Sequence, residues 1–92
     1  MASALYGFSY STNSLAFLRG LSKKLRRQVV KKIEALAADP RPPGCKQVKG
    51  MSEGEDQVWR IRSGDYRVLY VVHENPSEII ILDVGHRKDV YR

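Results

Sequence analysis

Ninety-two residues, 42% of them hydrophobic, suffice for one small domain with a single apolar core. A net charge of +6 favours polyanionic partners, nucleic acid or an acidic protein, without choosing between them. No apolar run reaches the ~18 residues a membrane helix needs, and MASALYGF lacks the basic and long apolar regions of a signal peptide, so neither is expected. The single cysteine, Cys45, permits no internal disulfide, which fits a reducing cytoplasm, and has no nearby His or second Cys for a metal site. No metal or cofactor is expected.

Leu5–Tyr10 alternates, with Tyr6, Phe8 and Tyr10 on one face and Gly7 and Ser9 on the other, and predicts a strand. Ser11-Thr12-Asn13-Ser14 is a cluster of helix-capping side chains, placing a short helix from Ser14 to Arg19, broken at Gly20. Ser22 can cap a longer helix whose apolar stripe is Leu21, Leu25, Val29, Ile33 and Leu36. Its opposite surface carries Lys23, Lys24, Arg26, Arg27, Lys31 and Lys32, which reads either as a solvated face or as a contact for phosphate backbone. Asp39-Pro40 ends this helix, because the residue before proline is pushed out of the α region. Pro40–Gly44 is a stiff connector. Cys45–Val48 predicts a short strand, followed by a loop of Gly50, Ser52 and Gly54 made acidic by Glu53, Glu55 and Asp56.

Val58–Tyr70, VWRIRSGDYRVLY, predicts a β-hairpin turning at Gly64-Asp65, since glycine accepts the positive φ of a two-residue turn. The register then pairs Arg62 with Arg67 and Ile61 with Val68. Alternation puts Trp59, Ile61, Val68 and Tyr70 on one face and Arg60, Arg62 and Arg67 on the other. Like charges directly opposite are destabilising, so this patch calls for an anion. The second strand runs on to His73, Asn75-Pro76-Ser77 turns the chain, and Ile79–Leu82 predicts a covered strand continuing to Val84 and stopping at Gly85. The expected fold is α+β: an N-terminal strand, two helices, then a three- to four-stranded antiparallel sheet with the helices on one face and the arginines on the open one.

WRIRSGDYRVLY at 59–70, followed by LDVGHRKDVYR at 82–92, resembles the RelE branch of the RelE/ParE bacterial toxin superfamily. The order of elements matches across essentially the whole chain, 1–92, as one RelE-like domain. The resemblance implies a toxin neutralised by a cognate antitoxin and acting as an endoribonuclease that enters the ribosomal A site and cuts mRNA there. Operator DNA would be met only through the antitoxin complex, and no membrane is involved. In the resemblance Arg67 stabilises the cleaved phosphate. Arg60 stands where the family has a lysine proposed as a base, and Val58 replaces a second lysine. Arg87 matches an arginine assigned as general acid, and Tyr91 a tyrosine that stacks on or orients the substrate.

Cleavage of this kind uses the RNA 2′-hydroxyl as nucleophile. The protein must accept the 2′-proton, neutralise charge on the phosphorane and protonate the 5′-oxygen. Arg67 and Arg62 suit the second task, because planar guanidiniums match phosphate oxygens. Arg60 is a poor base, since arginine stays protonated below a pKa of about 12. His86 is a candidate acid or base, with a surface or capping role as its alternative. Tyr91 is a proton donor or stacking group, or packs at the sheet edge. A gyrase-poisoning ParE-like toxin on the same scaffold, or a non-enzymatic RNA- or ribosome-binding module, would also fit the basic surface.

Overall fold

Two serines set the helices in place. Ser11 accepts a hydrogen bond from the Ser14 amide and opens α1 (Thr12–Gly20), while Ser22 accepts from the Leu25 amide and opens α2 (Lys23–Glu34). The computed structural model describes residues 6–74 and 76–86. Ahead of α1 is β1 (Gly7–Tyr10), and after α2 a turn of 3-10 helix covers Ala35–Ala37. Four strands follow: β2 (Lys46–Glu53), β3 (Asp56–Ser63), β4 (Tyr66–His73) and β5 (Glu78–His86).

The sheet has five strands in the order β1-β5-β4-β3-β2. The last four are antiparallel neighbours, and β1 lies parallel to β5 at one edge. The sheet is therefore one strand larger than the upper expectation for its antiparallel part, because the N-terminal strand joins it. The helix pair carries the chain from β1 at one edge to β2 at the other, and the meander β2 to β5 then returns to lie beside β1.

Both helices pack on one face. Leu18, Val29, Ile33 and Leu36 meet Ile61, Val68, Tyr70, Val72, Ile79, Ile81 and Val84, all buried. The stripe on α2 is narrower than its periodicity suggests, since Leu21 and Leu25 are only half-buried near the helix start. Tyr70 is fully buried within this core and donates from its hydroxyl to the Pro40 carbonyl at 2.6 Å, which ties the proline-rich connector to the sheet. Arg41 lies over the Trp59 ring at 5.2 Å, fixing the same connector a second time.

The other face is not simply open. Val58, Leu69 and Val71 are buried there, with Val48, Ile80 and Leu82 against them. The acidic loop is also different. β2 continues to Glu53, but its pairing with β3 breaks between Gln47 and Ser52, where Gly50 takes a φ of +80°. Gln57 fills the gap, its Nε2 donating to the carbonyls of Val48 and Met51, both at 3.1 Å. Glycine and serine in this stretch signal a break in the ladder, not the end of the strand.

Candidate nucleic-acid interface

The β3–β4 hairpin forms in the expected register, with Gly64 at a φ of +60° and Arg62 opposite Arg67. On β5 the residue opposite Arg67 is Gly85. Arg67 thus stands between the Arg62 position on β3 and the buried Gly85 on β5. The Nε and Nη1 atoms of Arg67 are shielded from solvent, whereas Arg62 is exposed.

A second row crosses the same face one pleat away. Lys46 on β2 is opposite Arg60, Arg60 opposite Leu69, and Leu69 opposite Asp83 on β5. Lys46 and Asp83 were not singled out by sequence. Lys46 extends the cationic row toward β2. Val58, where the family has a second lysine, is buried in the apolar cluster of this face.

Asp83 reaches that face because β5 contains an extra residue. Tyr70 pairs with Ile81 but Leu69 pairs with Asp83, so Leu82 is inserted. In an unbulged strand, odd-numbered residues from Ile79 onward would all face the core, and Asp83 with them, while His86 would join the arginines. The bulge reverses both. His86 pairs with Tyr66 on the helix-covered side, ring to ring at 6.0 Å and 84°, and Tyr66 in turn meets Phe17 of α1 edge-on at 5.8 Å. His86 thus lies across the sheet from Arg60, Arg62 and Arg67. Arg60, Arg62 and Arg67 do come together. Arg87 and Tyr91 lie outside the described residues.

Lys23, Lys24, Arg27, Lys31 and Lys32 are exposed along α2, and Arg26 is half-buried, its Nη1 donating to the Arg19 carbonyl at 3.5 Å. A cavity of about 260 Å³ is lined by Lys32, Ala35, Pro42, Pro43, Gly44, Ile61 and Arg62. Lys32 of α2 and Arg62 of β3 are the two cations that line it. Glu53, Glu55, Asp56, Glu74 and Glu78 gather instead at the far end, around the β2–β3 and β4–β5 turns, where His73 Nδ1 sits 2.9 Å from Asp56 Oδ2. Asp56 and Ser63 bound the same eight-residue strand, about 23 Å apart at ~3.3 Å per residue. These carboxylates cannot neutralise the arginine patch.

A family model described as the ParE toxin of the type II toxin-antitoxin system, parDE, matches residues 9–91. The chain belongs to this toxin family. Within it, the chain is a RelE-type toxin. It is 37% identical over 60 residues to toxin RelE1 of Methanocaldococcus jannaschii, a match covering 65% of this chain and 66% of that relative. The fold is shared with RelE in the RelE-RelB complex from Pyrococcus horikoshii, with a TM-score of 0.77 at 26% identity over 94% of this chain and 99% of that one. The toxin-antitoxin complex RelBE2 from Mycobacterium tuberculosis gives a TM-score of 0.72 at 25% identity, covering 90% and 99%. Among the described residues of this RelE-type toxin, no helix is long and apolar enough to cross a membrane.

Proposed function

We propose that this toxin is a ribosome-dependent endoribonuclease that cuts mRNA in the A site. The observation that carries the reading is the placement of Arg60, Arg62 and Arg67 on one face beside the side-chain-free Gly85. A phosphate seated there accepts forked hydrogen bonds from Arg67 and Arg62. As the 2′-oxygen attacks, the O2′–P bond forms and the P–O5′ bond breaks. The guanidiniums stabilise the extra negative charge of the phosphorane. By family resemblance, Arg87 protonates the 5′-oxygen and Tyr91 orients the substrate. No metal takes part in this scheme. The arginine-rich site is a weak nuclease by itself, so the ribosome supplies the orientation of the mRNA. Lys23, Lys24, Arg26, Arg27 and Lys31 grip ribosomal RNA alongside.

The toxin acts in the cytoplasm and is held inactive by a cognate antitoxin, as the RelB partners of the solved relatives suggest. An acidic, partly disordered antitoxin segment laid over the sheet or along α2 would mask the cations. Operator DNA is engaged only through that complex.

In a translation extract, primer extension should map cuts at codon positions, and Arg67→Ala should remove them. Cuts that persist in Arg67→Ala refute the site. The family description as ParE favours a second reading, poisoning of DNA gyrase. Inhibition of supercoiling with translation untouched would establish that reading instead.

A further inference from the structure

Among the described residues, the arginines of the clamp offer no proton acceptor for the 2′-hydroxyl, and the bulge of β5 brings a carboxylate to their face. With Leu82 inserted, Asp83 stands opposite Leu69, while the next position on that face, Gly85, stands opposite Arg67. Asp83 is thus the diagonal neighbour of Arg67 across adjacent strands, roughly 7–8 Å away. That is the spacing of their backbones, and both side chains rise from the same face, so the two can address one ribose and its 3′-phosphate.

The bulge is held from outside the strand. Ser11 N donates to the Ile81 carbonyl at 2.9 Å, and Ser11 Oγ donates to the Leu82 carbonyl at 2.8 Å. The same oxygen caps α1 and lies 2.8 Å from Ser14 Oγ, and Ser14 is fully buried. The first turn of α1 therefore fixes the residue count that turns Asp83 toward the arginines. Bulges recur next to active sites because they re-aim a side chain in this way.

Among the described residues, the other groups on this part of the face are worse placed or of the wrong chemistry. Arg60, Arg62 and Arg67 are permanent donors. Lys46 is two strands from Arg67, about 10 Å in the lateral direction alone. His86 is on the other side of the sheet.

We infer that Asp83 is the general base: its carboxylate takes the 2′-hydroxyl proton as the O2′–P bond forms. The P–O5′ bond then breaks, the 5′-oxygen takes a proton from a separate donor, and Asp83 returns its own to water. This assignment rests on the ribonuclease reading.

The test is single-turnover cutting of mRNA on programmed ribosomes, with ribosome binding and thermal melting measured in parallel. Asp83→Asn should slow cutting by about 10²- to 10⁴-fold while binding and melting stay near the parent's. An mRNA carrying sulfur in place of the 5′-bridging oxygen should not restore the rate, because its leaving group needs no proton but the 2′-hydroxyl still needs an acceptor. Cutting within threefold of the parent overturns the assignment, and so does rescue by the sulfur substrate. A loss matched by lost binding or lost folding makes Asp83 structural and also overturns it. If the parent chain itself cuts nothing, the ribonuclease reading falls and the assignment falls with it.

Discussion

Replacing Ser11 with alanine removes a helix cap and a bulge clasp together. The cap is the bond from the Ser14 amide at 3.1 Å, and losing such a cap costs about 1 kcal/mol. The clasp is the bond to the Leu82 carbonyl at 2.8 Å, part-buried, and stranding that carbonyl adds roughly 1–2 kcal/mol. The sum is about 2–3 kcal/mol. For a chain this size each kcal/mol moves the melting temperature by about 4–8 °C, so a fall of about 8–24 °C is expected. Ser22→Ala is the internal control. It loses only an exposed cap at 3.3 Å on α2 and should cost no more than about 1 kcal/mol. Thermal unfolding followed by circular dichroism on the parent and both variants gives the comparison directly. Equal shifts in Ser11→Ala and Ser22→Ala would show that the Leu82 carbonyl needs no clasp, and the account of how Asp83 is held would be wrong.

Two further outcomes follow from the same geometry. Lys23 and Lys24 sit in the first turn of α2, where the helix dipole disfavours cations. Changing both to Glu should raise stability by roughly 0.3–1 kcal/mol each in low salt, yet weaken ribosome or RNA binding and flatten its salt dependence, seen by melting and by binding titrations at several salt concentrations. Tyr70 is held well above the ordinary tyrosine pKa, first by burial and then by the neighbouring Cys45. Its neutral form is favoured in the folded chain, so that contribution is complete below about pH 10 and declines as pH rises beyond it, where the unfolded chain ionises. Tyr70→Phe should cost about 1 kcal/mol at pH 7.5 by freeing the Pro40 carbonyl, and urea titrations should show the gap to the parent narrowing by pH 11.

The hairpin was readable from sequence to the residue. Gly64-Asp65 fixes the turn, and the alternation of Trp59, Arg60, Ile61 and Arg62 fixes the faces. The stripe through Val29, Ile33 and Leu36 was equally plain. β5 was not. Ile79–Leu82 is apolar at every position, so it carries no period-2 signal and cannot reveal an inserted residue. Everything after Leu82 therefore had an undetermined face, which is why His86 was expected beside the arginines and Asp83 was overlooked. The hint was present in the capping cluster: Ser11 immediately follows β1, which lies beside β5. Lys46 was missed for a related reason, since its register depends on a ladder interrupted by Gly50.

The acidic residues at the far end of the sheet leave a net charge of +6 unevenly distributed. Carboxylates around the β2–β3 turn and cations around the β3–β4 turn give the molecule a large electric moment directed along its strands. In the field of a polyanion such a moment produces a torque as well as an attraction. The toxin is rotated during approach, so that Arg62 and Arg67 lead and Glu53 and Glu55 trail. Productive encounters then form a larger share of collisions than net charge alone provides, and that share shrinks once added salt brings the screening length below the roughly 23 Å separating the two poles.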